Sequence, residues 1–501
     1  MNRTALLTKL DPFRSRGTLR ADLVASLVVF LVALPLCVGV AVASGVPAEL
    51  GLITGIVGGL VTGFLPGSSL QVSGPAAGLT VLVYEAVQSY GLGGLGVLVL
   101  LAGVLQIALG ALRLGRWFRA ISVSVVQGML AGIGLVLIAG QLYALADAKA
   151  PSSGPDKLLG LAALAGETLG DPTALTALGI GTGTVLVLVV WPRWKAGARA
   201  LPAPLAAVLL ATGVTVACGL PVARVEVTGL LHAVQPPGAG EFAGLASVGM
   251  LGTVLAFTLI ASAESLFSAA AVDRLHDGPR TDYDKELMAQ GAGNTVCGAL
   301  GALPMTAVIV RSSANVAAGA RTKLSRVAHG VWLLLFAAAF PVALELIPVS
   351  ALAGVLIHAG WKLIPVRDLG PMWREHRAEA VVLAVTALAI VVTDMFQGVL
   401  LGLLTAVVKT AWETSHVHVE TEDPGPGLPL RVVVLGNATF LRLPKLQDQL
   451  DALPVDRAVE LRLEGLRHMD HACGLALSTW EERHNRRAPE PVRRAEERVG
   501  G

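Results

Sequence analysis

The chain has 501 residues and an unusually apolar composition, with 54% hydrophobic and 15% charged residues, where soluble domains have about 25% charged residues. This composition excludes a wholly soluble, a disordered and a fibrous protein. The 38 Lys and Arg nearly balance the 36 Asp and Glu, so the formal net charge is +2 and no overall basic field favours a nucleic-acid partner. We therefore expect an integral protein of the lipid bilayer.

Apolar runs follow one another from residue 21 to residue 416, after a basic N-terminal segment at residues 1–20. Because a bilayer core about 30 Å thick requires about 20 apolar residues per helix, these runs predict an all-α polytopic domain with fourteen spans, two of them short. The predicted spans 1 to 14 are Ala21–Ala43, Ala48–Leu65, Ser73–Tyr90, Gly93–Ala111, Phe118–Leu145, Thr173–Trp191, Leu201–Leu220, Leu245–Phe267, Tyr283–Leu300, Pro304–Ala317, Ser325–Leu346, Pro348–Ile364, Ala378–Val392 and Phe396–Ser415.

Lys and Arg are concentrated on every second loop between these spans. Five of the loops on the side of the basic N-terminus, counted with the residues that flank them, carry three or four Lys and Arg each, whereas the opposite loops carry only Lys149, Lys157 and Arg224. Basic loops remain on the cytoplasmic side of a membrane. The alternation supports the number of spans and predicts that both termini are cytoplasmic in a multi-pass protein of the cytoplasmic membrane.

The composition changes after the breaker sequence TEDPGPGLP. β-branched and alternating runs (RVVVLGNATFL, RAVELRLEGL) predict two strands, and each is followed by a predicted helix (PKLQDQLDALP, HACGLALSTWEERHNRR). We expect a small cytoplasmic α/β domain at residues 417–487 and a disordered tail at residues 488–501.

Spans 3 and 10 begin in an unusual way, because each has Gly and then Pro at the start of a short helix, at SGPAAG and GALPMTA. Interrupted backbone at membrane depth is tolerated where it is buried in protein or lines a cavity. The two interruptions hold corresponding places in the halves at residues 21–220 and 245–416, which predicts a seven-plus-seven inverted repeat. Two half-helix N-termini would then face each other and attract an anion; the alternative is that Gly-Pro pairs only kink ordinary spans.

Two charged residues in the spans are candidates for a functional role. Glu264 lies deep in span 8, where a charge costs about 2.5 to 3.5 kcal/mol on insertion scales. Arg311 lies two helical turns beyond Pro304 and either adds a positive charge to the anion site or extends to the cytoplasmic surface. The lone His329 and His358 are interpreted as packing or capping residues.

Familiar catalytic and cofactor motifs are not found in the sequence. There is no Gly-rich P-loop, nucleophile elbow or HExxH sequence, and the four isolated cysteines have no zinc spacing. We expect neither an enzyme nor a bound cofactor or metal.

Several segments together resemble one family: ADLVASLVVFLVALPLCVGVAVASGVPAELGL, QVSGPAAGLTVLV, ESLFSA and GALPMTAVIVRSSANVAAGARTKLSRVAHGVW. The chain is similar to the SulP anion permeases over most of its length. The resemblance implies a seven-plus-seven core, a midplane anion site between spans 3 and 10, a C-terminal STAS domain and a homodimer. It places substrate-binding residues at Ser73, Gly74, Pro75, Ala76, Met305, Thr306, Ala307, Val308 and Arg311.

The resemblance also bears on the transported anion and on coupling. Pro35-Leu36 replaces a Pro-Gln pair of many members and is more similar to the SulP bicarbonate transporters. Glu264 and Ser268 match the positions of sodium ligands in those transporters, but Ala307, Val308 and Ile309 supply no side-chain oxygen, so proton coupling through Glu264 is also open. His471 stands where phosphorylated STAS relatives have Ser or Thr after the Asp, so we expect no phosphorylation switch.

These features predict a secondary active transporter of a small inorganic anion, bicarbonate first and sulfate second, coupled to a proton or sodium. A nucleobase permease shares the fold but requires amide or carboxylate side chains that SGPAAG and PMTAV do not provide. The alternative from a different functional class is a membrane scaffold or receptor that signals through the STAS domain. Such a function would leave Glu264 without a role.

Overall fold

The computed structural model describes residues 16–116, 122–151, 153–194, 197, 201–227, 229–393, 395–425, 428–488 and 490–494. The chain forms two compact units, one up to Leu403 and one from Leu404 onward. Most of the predicted N-terminal segment, residues 1–20, lies outside the described residues.

Every predicted span coincides with helical structure in the described residues. Within the described ranges, six helices have the length and apolar composition to cross a membrane, and three shorter ones are also apolar. Spans 3 and 4 form one element that bends at Gly91, where φ is 72° and a side chain would be strained. The span helices are Arg16–Ala43, Ala48–Val57 with the π-helical turn Gly58–Thr62, Thr80–Ala111, Val123–Leu145, Pro172–Val190, Ala203–Ala217, Val248–Val272, Tyr283–Ala299, Ile309–Ala317, Leu324–Ala339, Val349–Leu363, Arg377–Val392 and Met395–Thr414.

Shorter helices lie in the connections between the spans. They are Gly154–Leu159, Leu161–Gly170, Leu230–Ala233, Pro341–Glu345 and Val366–Glu375.

The interrupted starts of spans 3 and 10 are paired with each other. β1 (Ser73–Pro75) and β2 (Met305–Ala307) form a two-stranded antiparallel sheet in which Gly74 lies opposite Thr306. The pairing continues past β2, since the Val308 N–H donates to the Val72 carbonyl at 2.9 Å. Backbone that leaves the helices inside the membrane domain is therefore satisfied by the matching segment of the other repeat.

The span 9 helix supports β2 from behind. It lies close to span 4, because a Cβ on Gly291 would come within 2.6 Å of the Gly103 carbonyl oxygen, a separation that only glycine permits. Asn294 on this helix accepts from the Met305 N–H at 2.7 Å and donates to the Met305 carbonyl at 3.1 Å. Its Nδ2 also donates to Gln106 at 2.8 Å, so a buried amide holds the end of β2.

A buried arginine supports the segment that leads into β1. Arg326 is 2% exposed and donates to the carbonyls of Thr62, Gly63 and Ser68 at 2.6, 3.0 and 2.7 Å. Glu286, which is 0% exposed, accepts from the Ser68 N–H at 2.7 Å. Buried carbonyls outside regular structure require such partners, and Arg326 provides them.

The strands of the C-terminal unit are β3 (Val417–Glu422), β4 (Leu430–Ala438), β5 (Val459–Met469) and β6 (Arg493–Arg494). They form a four-stranded sheet in the order β3-β4-β5-β6, and the helices of the unit are Leu443–Asp451 and His471–Asn485. β3 pairs with β4 antiparallel, β4 with β5 parallel, and β5 with β6 parallel. Asp470 caps the second helix by accepting from the Cys473 N–H at 2.8 Å.

Two of these strands differ from the sequence prediction. β3 was not predicted, because its alternation is weak outside Val417 and Val419. β6 lies in the tail that was predicted to be disordered, and it is ordered because Arg494 bonds the Glu481 carboxylate at 2.7 and 2.6 Å. Residues 489 and 495–501 of that tail lie outside the described residues.

Candidate functional site

A cavity of about 130 Å³ lies at the starts of the half-helices of spans 3 and 10. Its walls come from spans 1, 3, 5, 6, 7, 8, 10 and 12 and are mostly apolar. The volume has room for several water molecules or a small anion with part of its hydration shell. The polar side chains that line it are Glu264, Ser268, Arg311, His358 and Lys362.

Both half-helices present their N-terminal ends to this cavity. Half-helix 3 begins with the 3-10 turn Ala77–Leu79 and half-helix 10 is Ile309–Ala317; Ala77, Gly78, Ile309 and Val310 line the cavity. N–H groups of a first helical turn have no partner within the helix and carry the positive end of its dipole. The arrangement can therefore bind an anion with backbone groups from both repeats.

The predicted binding residues divide into two groups. Pro75, Val308 and Arg311 line the cavity. The others are buried beside it and absent from its wall, because β1 and β2 pair with each other and the free N–H groups begin at Ala77 and Ile309. This second group is Ser73, Gly74, Ala76, Met305, Thr306 and Ala307.

The buried group holds the half-helices in place. Ser73 accepts a hydrogen bond from Gln290 at 2.7 Å, and the Ala307 N–H donates to the Ser265 hydroxyl at 3.3 Å. These contacts fix both strands from the span 8 and span 9 sides.

Arg311 is buried, with 1% of its surface exposed, so it does not extend to the cytoplasmic surface. Its Nη2 donates to the Pro75 carbonyl at 3.4 Å, while Nε and Nη1 have no partner among the described residues. A Cβ on Gly74 would overlap Nη1, so glycine at this position lets the guanidinium lie against β1. The Cys37 thiol also lies beside the guanidinium. A buried positive charge whose donors are not all satisfied is costly, and an anion in the adjoining cavity would offset that cost.

Glu264 faces the cavity from span 8. A Cβ on Gly78 would come within 2.9 Å of its Oε1, so the carboxyl lies against the first turn of half-helix 3. It also lies beside the Thr306 hydroxyl, yet neither its Oε2 nor the Thr306 Oγ1 completes a hydrogen bond. Ser268, one turn further along the helix, lines the same cavity.

Two polar lining residues were not predicted to belong to the site. His358 and Lys362 are on span 12, and the sequence analysis interpreted His358 as a packing or capping residue. With Val355, Ala359 and Leu363 they follow the spacing of one helical face. That spacing was the signal available in the sequence, but it does not reveal which neighbour the face meets.

Among the described residues, no three His, Cys, Asp or Glu side chains come together as metal ligands do. The arrangement is instead two helix N-termini, a buried guanidinium and a carboxyl around a small cavity.

Solved structures similar to this chain show the same fold. One is the transmembrane domain of a cyanobacterium bicarbonate transporter, BicA, with a TM-score of 0.67, 23% identity, and coverage of 79% of this chain and 98% of that one. Another is the murine Slc26a9 anion transporter in the inward-facing state, with a TM-score of 0.78, 15% identity, and coverage of 99% of this chain and 89% of that one. The fold is thus a seven-plus-seven inverted repeat with a STAS-like C-terminal domain.

Sequence comparison indicates the family. A putative sulfate transporter of Bacillus subtilis, YvdB, is 29% identical over 372 residues, which are 72% of this chain and 68% of the relative. The bicarbonate transporter BicA of Synechocystis is 27% identical over 369 residues, 69% of this chain and 61% of the relative. The sequence pattern of the Sulfate permease family matches residues 19–386, so the chain belongs to the sulfate permease family.

Proposed function

We propose that this protein is a secondary active transporter of a small inorganic anion across the cytoplasmic membrane, with bicarbonate favoured and sulfate second. The observation that carries the proposal is the cavity between the two half-helix N-termini, with the unpaired Nε and Nη1 of Arg311 beside it. Both termini would be cytoplasmic, as the basic loops indicate. Relatives named as sulfate and as bicarbonate transporters are consistent with either anion.

Charge at the site favours a monovalent anion while Glu264 is ionised. Each half-helix end contributes about +0.5, Arg311 contributes one positive charge, and Glu264 subtracts one. The sum is about +1 with the carboxylate charged and about +2 with it protonated. Leu36 lines the cavity without a hydrogen-bonding group, which suits a small anion that the backbone N–H groups already satisfy.

Coupling is assigned to Glu264, with Ser268 one turn away. The carboxyl faces the cavity and its buried Oε2 has no hydrogen-bond partner among the described residues, so a proton or a sodium ion would satisfy it. Thr306 provides a hydroxyl from the span 10 segment beside Glu264, a side-chain oxygen that Ala307, Val308 and Ile309 lack. This oxygen supports a sodium site without excluding a proton site.

Uptake into proteoliposomes tests the proposal. Labelled bicarbonate, sulfate and a dicarboxylate are offered at fixed ionic strength while the sodium and pH gradients are varied separately. We expect saturable bicarbonate uptake driven by one of the two gradients, and weaker sulfate uptake. Absence of uptake of all three anions by correctly inserted protein would refute anion transport.

No observation favours a nucleobase permease, because no amide side chain from the described part of the chain lines the cavity. A scaffold without transport would leave the cavity and its unpaired donors without a role. We expect a homodimer, which can be tested by the mass of the purified protein in detergent.

A further inference from the structure

We infer that Lys362 and His358 form a second anion-binding station on the span 12 wall of the cavity, where an inorganic anion is held before it reaches the half-helices. The inference rests on the proposed function, and this second site is separate from the one at the half-helix ends. The two side chains lie one helical turn apart, so their Cβ atoms are about 6 Å apart, and both line the cavity.

Span 12 turns one face to the cavity along much of its length. Val355, at one end of this face, is buried, and Lys362 lies about 10 Å further along the axis at 1.5 Å per residue. Lys362 is exposed and His358 is half-buried. The charged end of the face therefore lies where the cavity opens, and the imidazole lies between this end and the interior.

Both side chains are available for a ligand. Within the described part of the chain, neither makes a hydrogen bond or an ion pair with protein. Of the residues that the structure describes, Glu264 is the one carboxylate that lines the cavity, and it lies against Gly78 of half-helix 3. Among them, no lining carboxylate therefore lies beside Lys362 to neutralise it.

An accessible cation at the mouth complements the site deeper inside. Arg311 is buried against the Pro75 carbonyl and attracts an anion only once it has passed the apolar wall. Lys362 instead raises the local anion concentration where solvent meets the cavity. His358 then donates an N–H to an anion that moves inward. Such a station would lower the KM of uptake and leave the maximal rate little changed.

The test uses the full-length protein in proteoliposomes, with bicarbonate as the probe. For Lys362→Gln we expect KM to rise about fivefold at low ionic strength, which corresponds to about 1 kcal/mol, with the maximal rate per inserted molecule kept. Lys362→Arg, which retains the charge, should stay near the parent. Arg367→Gln is the matched control, since Arg367 is exposed on the neighbouring helix and does not line the cavity.

Two further measurements separate this role from a structural one. Raising the concentration of an impermeant salt should increase KM of the parent more than that of Lys362→Gln, because salt screens charges over about 10 Å at 0.1 M. His358→Leu should raise KM, while His358→Gln, which keeps a donor, should not.

The inference is overturned if Lys362→Gln changes KM no more than Arg367→Gln does. It is also overturned if the effect of Lys362→Gln appears only in vesicles with anionic lipid and changes the maximal rate alone, because Lys362 would then bind lipid phosphate. Either result leaves the proposed function standing, provided that the parent protein transports the anion. A parent protein without uptake would instead refute the proposed function.

Discussion

Gly74→Ala should weaken anion binding without unfolding the protein. The new methyl group would overlap Nη1 of Arg311, and non-bonded heavy atoms require about 3.5 to 4.0 Å. The guanidinium is the free end of a flexible side chain, so it can withdraw by roughly 1.5 Å while β1 keeps its pairing. The fold should therefore survive, and the loss should fall on the electrostatics of the site.

The magnitude follows from Coulomb's law. For an anion about 4 Å from the guanidinium at an effective dielectric constant of about 20, the attraction is about 4.2 kcal/mol, and it falls to about 3.0 kcal/mol at about 5.5 Å. The difference corresponds to a roughly sevenfold rise in the dissociation constant. A larger side chain, as in Gly74→Leu, would displace Arg311 further and should abolish transport.

The assay is the KM of bicarbonate uptake in proteoliposomes, alongside thermal unfolding in detergent. Gly183→Ala serves as the control, because a Cβ on Gly183 meets nothing within 4 Å. If Gly74→Ala and Arg311→Gln both have the KM of the parent, Arg311 does not act on the anion. Unfolding of Gly74→Ala would show that the new methyl group disrupts the pairing of β1 with β2 and does not simply displace the guanidinium.

Three other perturbations test different parts of the structure. Glu264→Gln should abolish the dependence of uptake on the driving ion and retain anion exchange; a variant with the full pH and sodium dependence of the parent would mean that Glu264 only has a structural role. Arg326→Met should cost at least about 3 kcal/mol of stability in thermal unfolding, because several buried carbonyls lose their donors, whereas exposed Arg367→Met should be neutral. In the STAS-like domain, hydrogen bonds from Arg457 hold the pKa of Asp423 at about 2, below the ordinary value of about 3.9. The stabilisation by this pair should be complete above about pH 4 and lost as the pH falls towards 2. Hydrogen exchange near Asp423 should therefore become faster over this pH range in the parent but not in Asp423→Asn.

The helices of the membrane unit could be predicted because their cause is local. An apolar run of sufficient length forms a helix in a bilayer whatever its neighbours are, and each predicted span coincides with helical structure. The Gly-Pro starts of spans 3 and 10 also predicted where the helices are interrupted. The family match supports both the predicted spans and the predicted interruptions.

The inner geometry of the site could not be predicted, because it depends on contacts between distant segments. The pairing of β1 with β2 moves the free N–H groups to Ala77 and Ile309, a few residues beyond the predicted positions. The packing of neighbouring helices also determines that Arg326 contacts five carbonyl groups. The same packing determines that Lys362 faces the cavity. β6 was missed because a short charged strand carries no apolar pattern.

The strand pair that joins the half-helices has a consequence for how the protein is made. Pro75 and Arg311 are 236 positions apart, so synthesis of the first repeat is complete long before its partner strand exists. Until then β1 would leave backbone N–H and C=O groups unpaired at membrane depth, which hydrocarbon does not tolerate. During biogenesis the first repeat must therefore remain shielded, by water, by the insertion machinery or by a chaperone, and the anion site comes into existence only when the second repeat has been inserted.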